Sequence, residues 1–262
     1  MSTIGKWILD LLFPRQCLGC NVWLSGDDNS YICKVCLGSI KMKSDFTCAF
    51  CDSPVAAGMT CPFCKPNHHL DRLLVATSYK NPLVEKIIKT MKYQFVSSLA
   101  EEIATFMIKY FKRRFLAGPN FLDESPVVVP VPLHRRRLNW RGFNQAEIIG
   151  QKIAEFFSWP FVADALKRIR NVRPQVEMPD RQSRVENARN IFEFNSSKYP
   201  NPASLARGRT FLLIDDVATT ASTLDDCARV LKSVGASEVI GFVFARSDQK
   251  TDKLLTSSIK EL

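Results

Sequence analysis

The sequence predicts an α/β domain on a parallel sheet with flanking helices, preceded by a small metal-holding module. Three observations carry this. Eight of the nine cysteines fall before residue 65, as four Cys-x-x-Cys pairs. Residues 211–244 run apolar strand, helix, apolar strand, the pattern of a βαβ unit. The strand segments are unbroken apolar runs, as a sheet covered on both faces requires.

The elements follow in order. Trp7, Ile8, Leu11 and Leu12 fall at helical spacing, which predicts a short amphipathic helix over residues 4–12, ended by Pro14. Residues 15–66 read as cysteine knuckles, turns and short strands. A strand is expected within 67–79. Helical periodicity over 82–115 breaks around 94–98, which predicts two helices. Gly118-Pro119 is punctuation. Val127, Val128 and Val129 form a buried strand, and residues 133–144 read as a basic loop containing a glycine. A helix over 145–157 and a strand over 161–166 follow. Residues 167–190 are long, polar and without period, the mark of a functional or disordered segment. Residues 211–214 form a strand that ends at Asp215-Asp216. A turn of small residues then leads to a helix over about 223–234, capped by Gly235. A last strand covers 239–244. The expected division is a module over 1–66 and an α/β domain over 67–262.

Composition sets the limits. The chain has 262 residues, 46% of them hydrophobic and 24% charged, which excludes a disordered chain. No apolar run approaches the ~18–20 residues of a membrane span. Residues 4–13 are interrupted by Lys6 and Asp10, so neither a spanning helix nor an export signal is expected there. The expectation is a soluble cytoplasmic protein. Lys and Arg number 36 against 26 acidic residues, a net charge of +10. Residues 134–189 alone hold 12 basic and 6 acidic side chains. A local excess of this kind suits nucleic acid or the phosphates of a small ligand. A solvated basic face is the other reading.

In a reducing compartment, paired Cys-x-x-Cys knuckles point to metal. Each knuckle delivers two thiolates from one tight loop, and zinc takes four in a tetrahedron. Cys17, Cys20, Cys33 and Cys36 make one site in the simplest pairing, and Cys48, Cys51, Cys61 and Cys64 the other. A cross-braced pairing and an iron–sulfur cluster stay open. Four thiolates leave no free position, so both zinc ions are expected to be structural. His68 and His69 are read as surface residues, and the lone Cys227 as a small core residue.

The string FLLIDDVATTAST, residues 211–223, carries the second signal. Two acids stand at the carboxyl end of a buried strand, where open α/β sheets bind ligands. A small-residue turn and a helix N-terminus follow, an arrangement that holds a phosphate. The string is similar to the 5-phosphoribosyl-1-diphosphate (PRPP) motif of type I phosphoribosyltransferases. That resemblance implies ribose contacts from Asp215 and Asp216. It implies a 5′-phosphate wrapped by Thr219, Thr220, Ala221, Ser222 and Thr223, with Mg2+ bound beside PRPP. The family's usual glycine is Ala221 here. Ala would be strained at positive φ and tolerable in the first turn of the helix. The second placement is expected.

The stretch VVPVPLHRRRLNWRGFNQ, residues 128–145, resembles the signature of the competence protein F (ComF) family. The segments WILDLLFPRQCLGC and IIKTMKYQF also resemble it, as do Arg168, Arg170, Gln175, Arg184, Asn187 and Phe192. Val172 departs from the threonine of many members, and the spacing from Gln175 to Asn187 is slightly long. The resemblance implies a double zinc ribbon before a type I phosphoribosyltransferase-like domain. Residues 133–144 take the place of the diphosphate loop. Arg135, Arg136, Arg137 and Arg141 would bind either diphosphate or DNA phosphates, with Trp140 and Phe143 available to stack bases. Residues 167–190, with Arg170, Gln175 and Arg184, take the place of the lid. No catalytic group is assigned, and nothing supports a glutaminase. The leading expectation is a protein of DNA uptake that binds single-stranded DNA and PRPP, alongside other DNA-uptake or recombination proteins. An active phosphoribosyltransferase on an unidentified acceptor, and a non-enzymatic partner-binding module that senses PRPP, are the alternatives.

Overall fold

Two short antiparallel strands, β1 (Arg15–Gln16) and β2 (Trp23–Leu24), and the short helix α1 (Lys34–Ser39) carry the first cysteine tetrad. The computed structural model describes residues 15–24, 30–115, 124–170 and 190–247. The helix expected over 4–12, Gly118-Pro119, and Gln175 and Arg184 of the lid lie outside the described residues.

The second tetrad is built on turns, and the chain then enters β3 (Arg72–Ser78). Helices α2 (Pro82–Tyr93) and α3 (Ser98–Phe115) follow, split where the periodicity breaks. Asn81 caps α2 by accepting from Leu83 N at 2.9 Å, with Pro82 at the first position. Next come β4 (Val127–Pro130), α4 (Arg135–Arg141) and α5 (Gln145–Phe157). A small antiparallel pair, β5 (Leu166–Arg168) and β6 (Phe192–Phe194), is followed by α6 (Pro202–Ala206). The chain continues through β7 (Thr210–Ala218), α7 (Ser222–Ser233) and β8 (Glu238–Arg246).

The main sheet runs β3-β8-β7-β4, all parallel. Its strands are buried on both faces, as their apolar runs require. Leu74, Val128, Leu212, Ile214, Ile240 and Phe242 face α2, α3 and α5. Leu73, Val129, Phe211, Leu213 and Val243 face α7 and the β5–β6 pair. The α/β expectation is therefore met.

Four local expectations need correction. Residues 133–144 are not all loop, because Arg135–Arg141 form α4, capped by His134 and ended by Gly142 at φ 81. Arginine and leucine are good helix formers, but seven residues are too few to show a period. The strand at 211–214 does not stop at the acids, and pairing to β8 carries it on to Ala218. Within 161–166, Phe161 makes a single parallel bridge to Val128, and the strand proper is β5. The polar stretch from 167 correspondingly begins inside a strand.

Both cysteine modules lie against the sheet domain. Lys43 N donates to Ala76 O at 2.9 Å, and Tyr31 N donates to Glu102 Oε1 at 2.7 Å. Arg246 at the end of β8 donates to Ala49 O at 2.8 Å and pairs with Asp52 at 2.9 Å.

Candidate functional site

The four sulfurs of Cys17, Cys20, Cys33 and Cys36 lie within 4.8 Å of one another, as do those of Cys48, Cys51, Cys61 and Cys64. The grouping is the sequential one. Backbone N–H groups of Gly19 and Cys33 donate to Cys17 Sγ at 3.4 and 3.3 Å. Cys61 N donates to Cys48 Sγ at 3.5 Å. Burial opposes ionisation of Cys17, yet these donors hold its thiol down at about 6. The Cys33 thiol beside it pushes Cys36 up to about 12. Four crowded thiols ionise together only around a cation, so both tetrads suit structural zinc. The first knuckle also needs its glycine, since a Cβ on Gly19 would lie 2.7 Å from Cys36 Sγ.

The acidic strand end is built by β7. Side chains alternate along a strand, so Asp215 and Asp216 leave on opposite faces. Asp216 points to the α2/α5 side and is 2% exposed. Lys92 Nζ on α2 lies 2.6 Å from its Oδ2, and Gln145 Nε2 donates to its Oδ1 at 3.3 Å. Gln145 in turn accepts from Arg141 at 2.6 Å. Burial resists ionisation of Asp216, but the Lys92 ammonium holds its carboxyl below the usual range. Asp215 is half-buried on the α7 side and accepts from Asp216 N at 2.8 Å. Burial, and then the charge of Asp216, push its carboxyl well up.

After Ala218 the chain turns through Thr219 and Thr220 into α7. Ala221 stands at φ 58, ψ 8, just before the helix. This corrects its expected place in the first helical turn, for Ala221 is the left-handed residue where the related motif has glycine. The conformation costs an L-residue roughly 1–2 kcal/mol. A left-handed residue is the backbone form that anion nests use, and here Thr220 Oγ1 accepts from Ser222 N at 3.4 Å. Ala221 brings no capping side chain to the helix N-terminus. Thr220 Oγ1 and Ser222 Oγ lie 2.9 Å apart at the rim, and Thr223 is half-buried.

Arg141 reaches this strand end through Gln145, and Arg168 stands on the neighbouring β5. Arg141 is 8% exposed, and its Nε has no hydrogen-bond partner. Burial lowers its pKa, opposed by the charges of Asp216 and Asp215. Arg168 on β5 has its guanidinium over the Phe192 ring and feels the charges of Arg137 and Asp215. Arg135, Arg136 and Arg137 are exposed on α4, and Arg170 is exposed after β5. Trp140 lies 4.9 Å from Phe95 and 6.4 Å from Tyr93, and all three rings are more than two-fifths exposed.

Three of these residues escape a reading of sequence. Lys92 and Gln145 sit inside motifs quoted for the resemblance, but nothing local marks them as partners of Asp216. His68 is not the plain surface residue expected, because its Nδ1 lies 2.9 Å from Asp225 Oδ2. His69 is exposed, and Cys227 is fully buried, as expected.

A family model for the double zinc ribbon domain matches residues 8–65, and one for the phosphoribosyl transferase domain matches residues 145–259. Fold and site together thus define a double zinc ribbon joined to a phosphoribosyltransferase-like domain. Competence protein F of Haemophilus influenzae is 24% identical over 233 residues, covering 83% of this chain and 98% of the relative. The DNA utilization protein YhgH of Escherichia coli K12 is 29% identical, covering 79% and 87%. Competence protein ComFC of Bacillus subtilis is 24% identical, covering 82% and 84%. The chain thus carries both domains and is similar over most of its length to proteins named competence protein F, ComFC and YhgH.

Proposed function

We propose that the protein serves DNA uptake, holding PRPP at the turn after β7 and single-stranded DNA on the exposed face of α4. The relatives' names support the pathway, since they are called competence and DNA utilization proteins. One observation carries the ligand reading. Buried Arg141, whose Nε has no hydrogen-bond partner, is joined through Gln145 to Asp216 beside a left-handed turn that opens a helix. Residues 1–66 serve as the ribbon module and 67–262 as the ligand-binding domain.

In this reading Asp215, the half-open acid, takes ribose hydroxyls, while Asp216 is engaged by Lys92 and Gln145 and sets the strand end. Residues 219–223 take the 5′-phosphate. Arg137, Arg141 and Arg168 face the diphosphate. The carboxylate and hydroxyl oxygens at the strand end suit a hard cation. Magnesium bound with the diphosphate would neutralise part of its charge. Arg135 and Arg136, with Trp140, Phe95 and Tyr93, present phosphate partners and stacking rings to a single strand.

Calorimetry with PRPP and magnesium tests the site. Wild type is expected to bind, and Asp215→Asn to lose at least tenfold in affinity, about 1.4 kcal/mol. Absence of binding to wild type overturns the reading. The arginine cluster also favours transfer chemistry, because it would stabilise a departing diphosphate. PRPP consumption with a panel of bases and amines decides that second reading.

A further inference from the structure

The second cysteine tetrad does not end at its sulfurs. Cys64 leads through the turn at Lys65–Asn67 to His68, whose Nδ1 lies 2.9 Å from Asp225 Oδ2. The other carboxylate oxygen of Asp225 accepts from His69 N at 2.7 Å and Leu70 N at 2.9 Å. The His68 ring lies flat on Phe50, with centroids 3.4 Å apart and planes at 6°. Phe50 stands inside the Cys48–Cys51 knuckle. Asp225 is in the first turn of α7, and its N–H donates to Ala221 O at 2.9 Å. A path of direct contacts therefore runs from the knuckle to the left-handed residue of the turn. Ala49, also of that knuckle, shares a core cluster with Ala221 and Leu224.

The arrangement has an electrostatic consequence. A helix N-terminus attracts anions, and a carboxylate in its first turn competes with a bound phosphate for that field and repels it. Asp225 is such a carboxylate. Both its oxygens are occupied by donors from residues 68–70, and its side chain is 17% exposed.

We propose that the second zinc ribbon is a clamp on the turn after β7. Through Phe50, His68 and the backbone of residues 69–70 it holds Asp225 away from the anion site and keeps Ala221 left-handed. Zinc loading and affinity for a phosphorylated sugar are then linked, and the linkage is reciprocal. His68 and Asp225 are positioning residues in this scheme. The inference rests on the phosphate reading of that turn.

The test uses the full chain carrying two zinc ions. Wild type and His68→Ala are titrated with PRPP and magnesium. Zinc transfer to a chromogenic chelator is then timed with and without PRPP. The variant is expected to bind PRPP on the order of tenfold more weakly, within the usual range of coupling between sites. PRPP is expected to slow the release of one of the two zinc ions in wild type and of neither in the variant. Equal PRPP affinity in both proteins, with zinc release indifferent to PRPP, overturns the clamp and leaves the phosphate reading standing. Absence of PRPP binding to wild type overturns the phosphate reading, and the clamp falls with it. If His68→Ala does not fold, the wild-type release rates with and without PRPP decide alone.

Discussion

Ala221 shows how much one methyl group can report. At φ 58 its strain of roughly 1–2 kcal/mol would vanish in Ala221→Gly. Against that stand the buried methyl, about 0.8 kcal/mol, and the freer unfolded chain of glycine, about 0.4–1 kcal/mol. The terms nearly cancel, so Ala221→Gly is expected to change stability by less than about 1 kcal/mol. A right-handed helical Ala would instead lose about 2 kcal/mol, from helix propensity and the methyl together. Urea denaturation separates these outcomes. The left-handed state was half legible, because the resemblance marks a glycine position but the residue present is alanine. Asp215 and Asp216 were legible as a pair, yet their separation onto opposite faces was not. It follows from β7 continuing past them, which pairing to β8 decides.

Among the helices, α1, α4 and α6 were the least legible and α2, α3, α5 and α7 the most, since long helices repeat their apolar face and a helix of one or two turns does not. Contacts between elements depend on charged residues that no periodicity reveals. Asp71 is the clearest case. It joins Lys65 of the second ribbon, Lys232 of α7 at 2.7 Å, and Val239 N of β8 at 2.7 Å. Burial resists its ionisation, but the two lysines and the backbone donor hold its carboxyl below the usual 3.8. A carboxyl depressed in the folded state stabilises above its unfolded value, and that contribution is lost as pH falls through the folded one. The urea midpoint of wild type is therefore expected to fall between pH 6 and about pH 3 by more than that of Asp71→Asn. Equal acid sensitivity of the two proteins would show that the junction contributes nothing to acid stability.

Across the whole molecule, the net charge of +10 sets how a polyanion is met. No helix among the described residues is long and apolar enough to cross a membrane. In the proposed reading Arg135 and Arg136 of α4 neutralise DNA phosphates, so replacing both by alanine is expected to flatten the salt dependence of single-strand binding by about 1.4 ions, at roughly 0.7 per phosphate contact. Trp140→Ala is expected to weaken binding by about 1–3 kcal/mol with the slope unchanged, because stacking releases no counterions. Fluorescence anisotropy of a labelled oligonucleotide across a salt series measures both. Affinity unaffected by either change would remove α4 from the DNA-binding surface. Seen at this scale, the sequence alone determined the four Cys-x-x-Cys knuckles, the parallel apolar strands and the order of strand, acids, turn and helix. Each is a spacing among neighbours in the chain, and local geometry converts spacing into structure. The tertiary structure decided the sequential grouping of the knuckles and what closes on that frame: Lys92 and Gln145 on Asp216, and His68 on Asp225 across 157 residues of chain. Such pairs depend on sheet order and on which face each strand residue takes, and only the folded sheet brings them together.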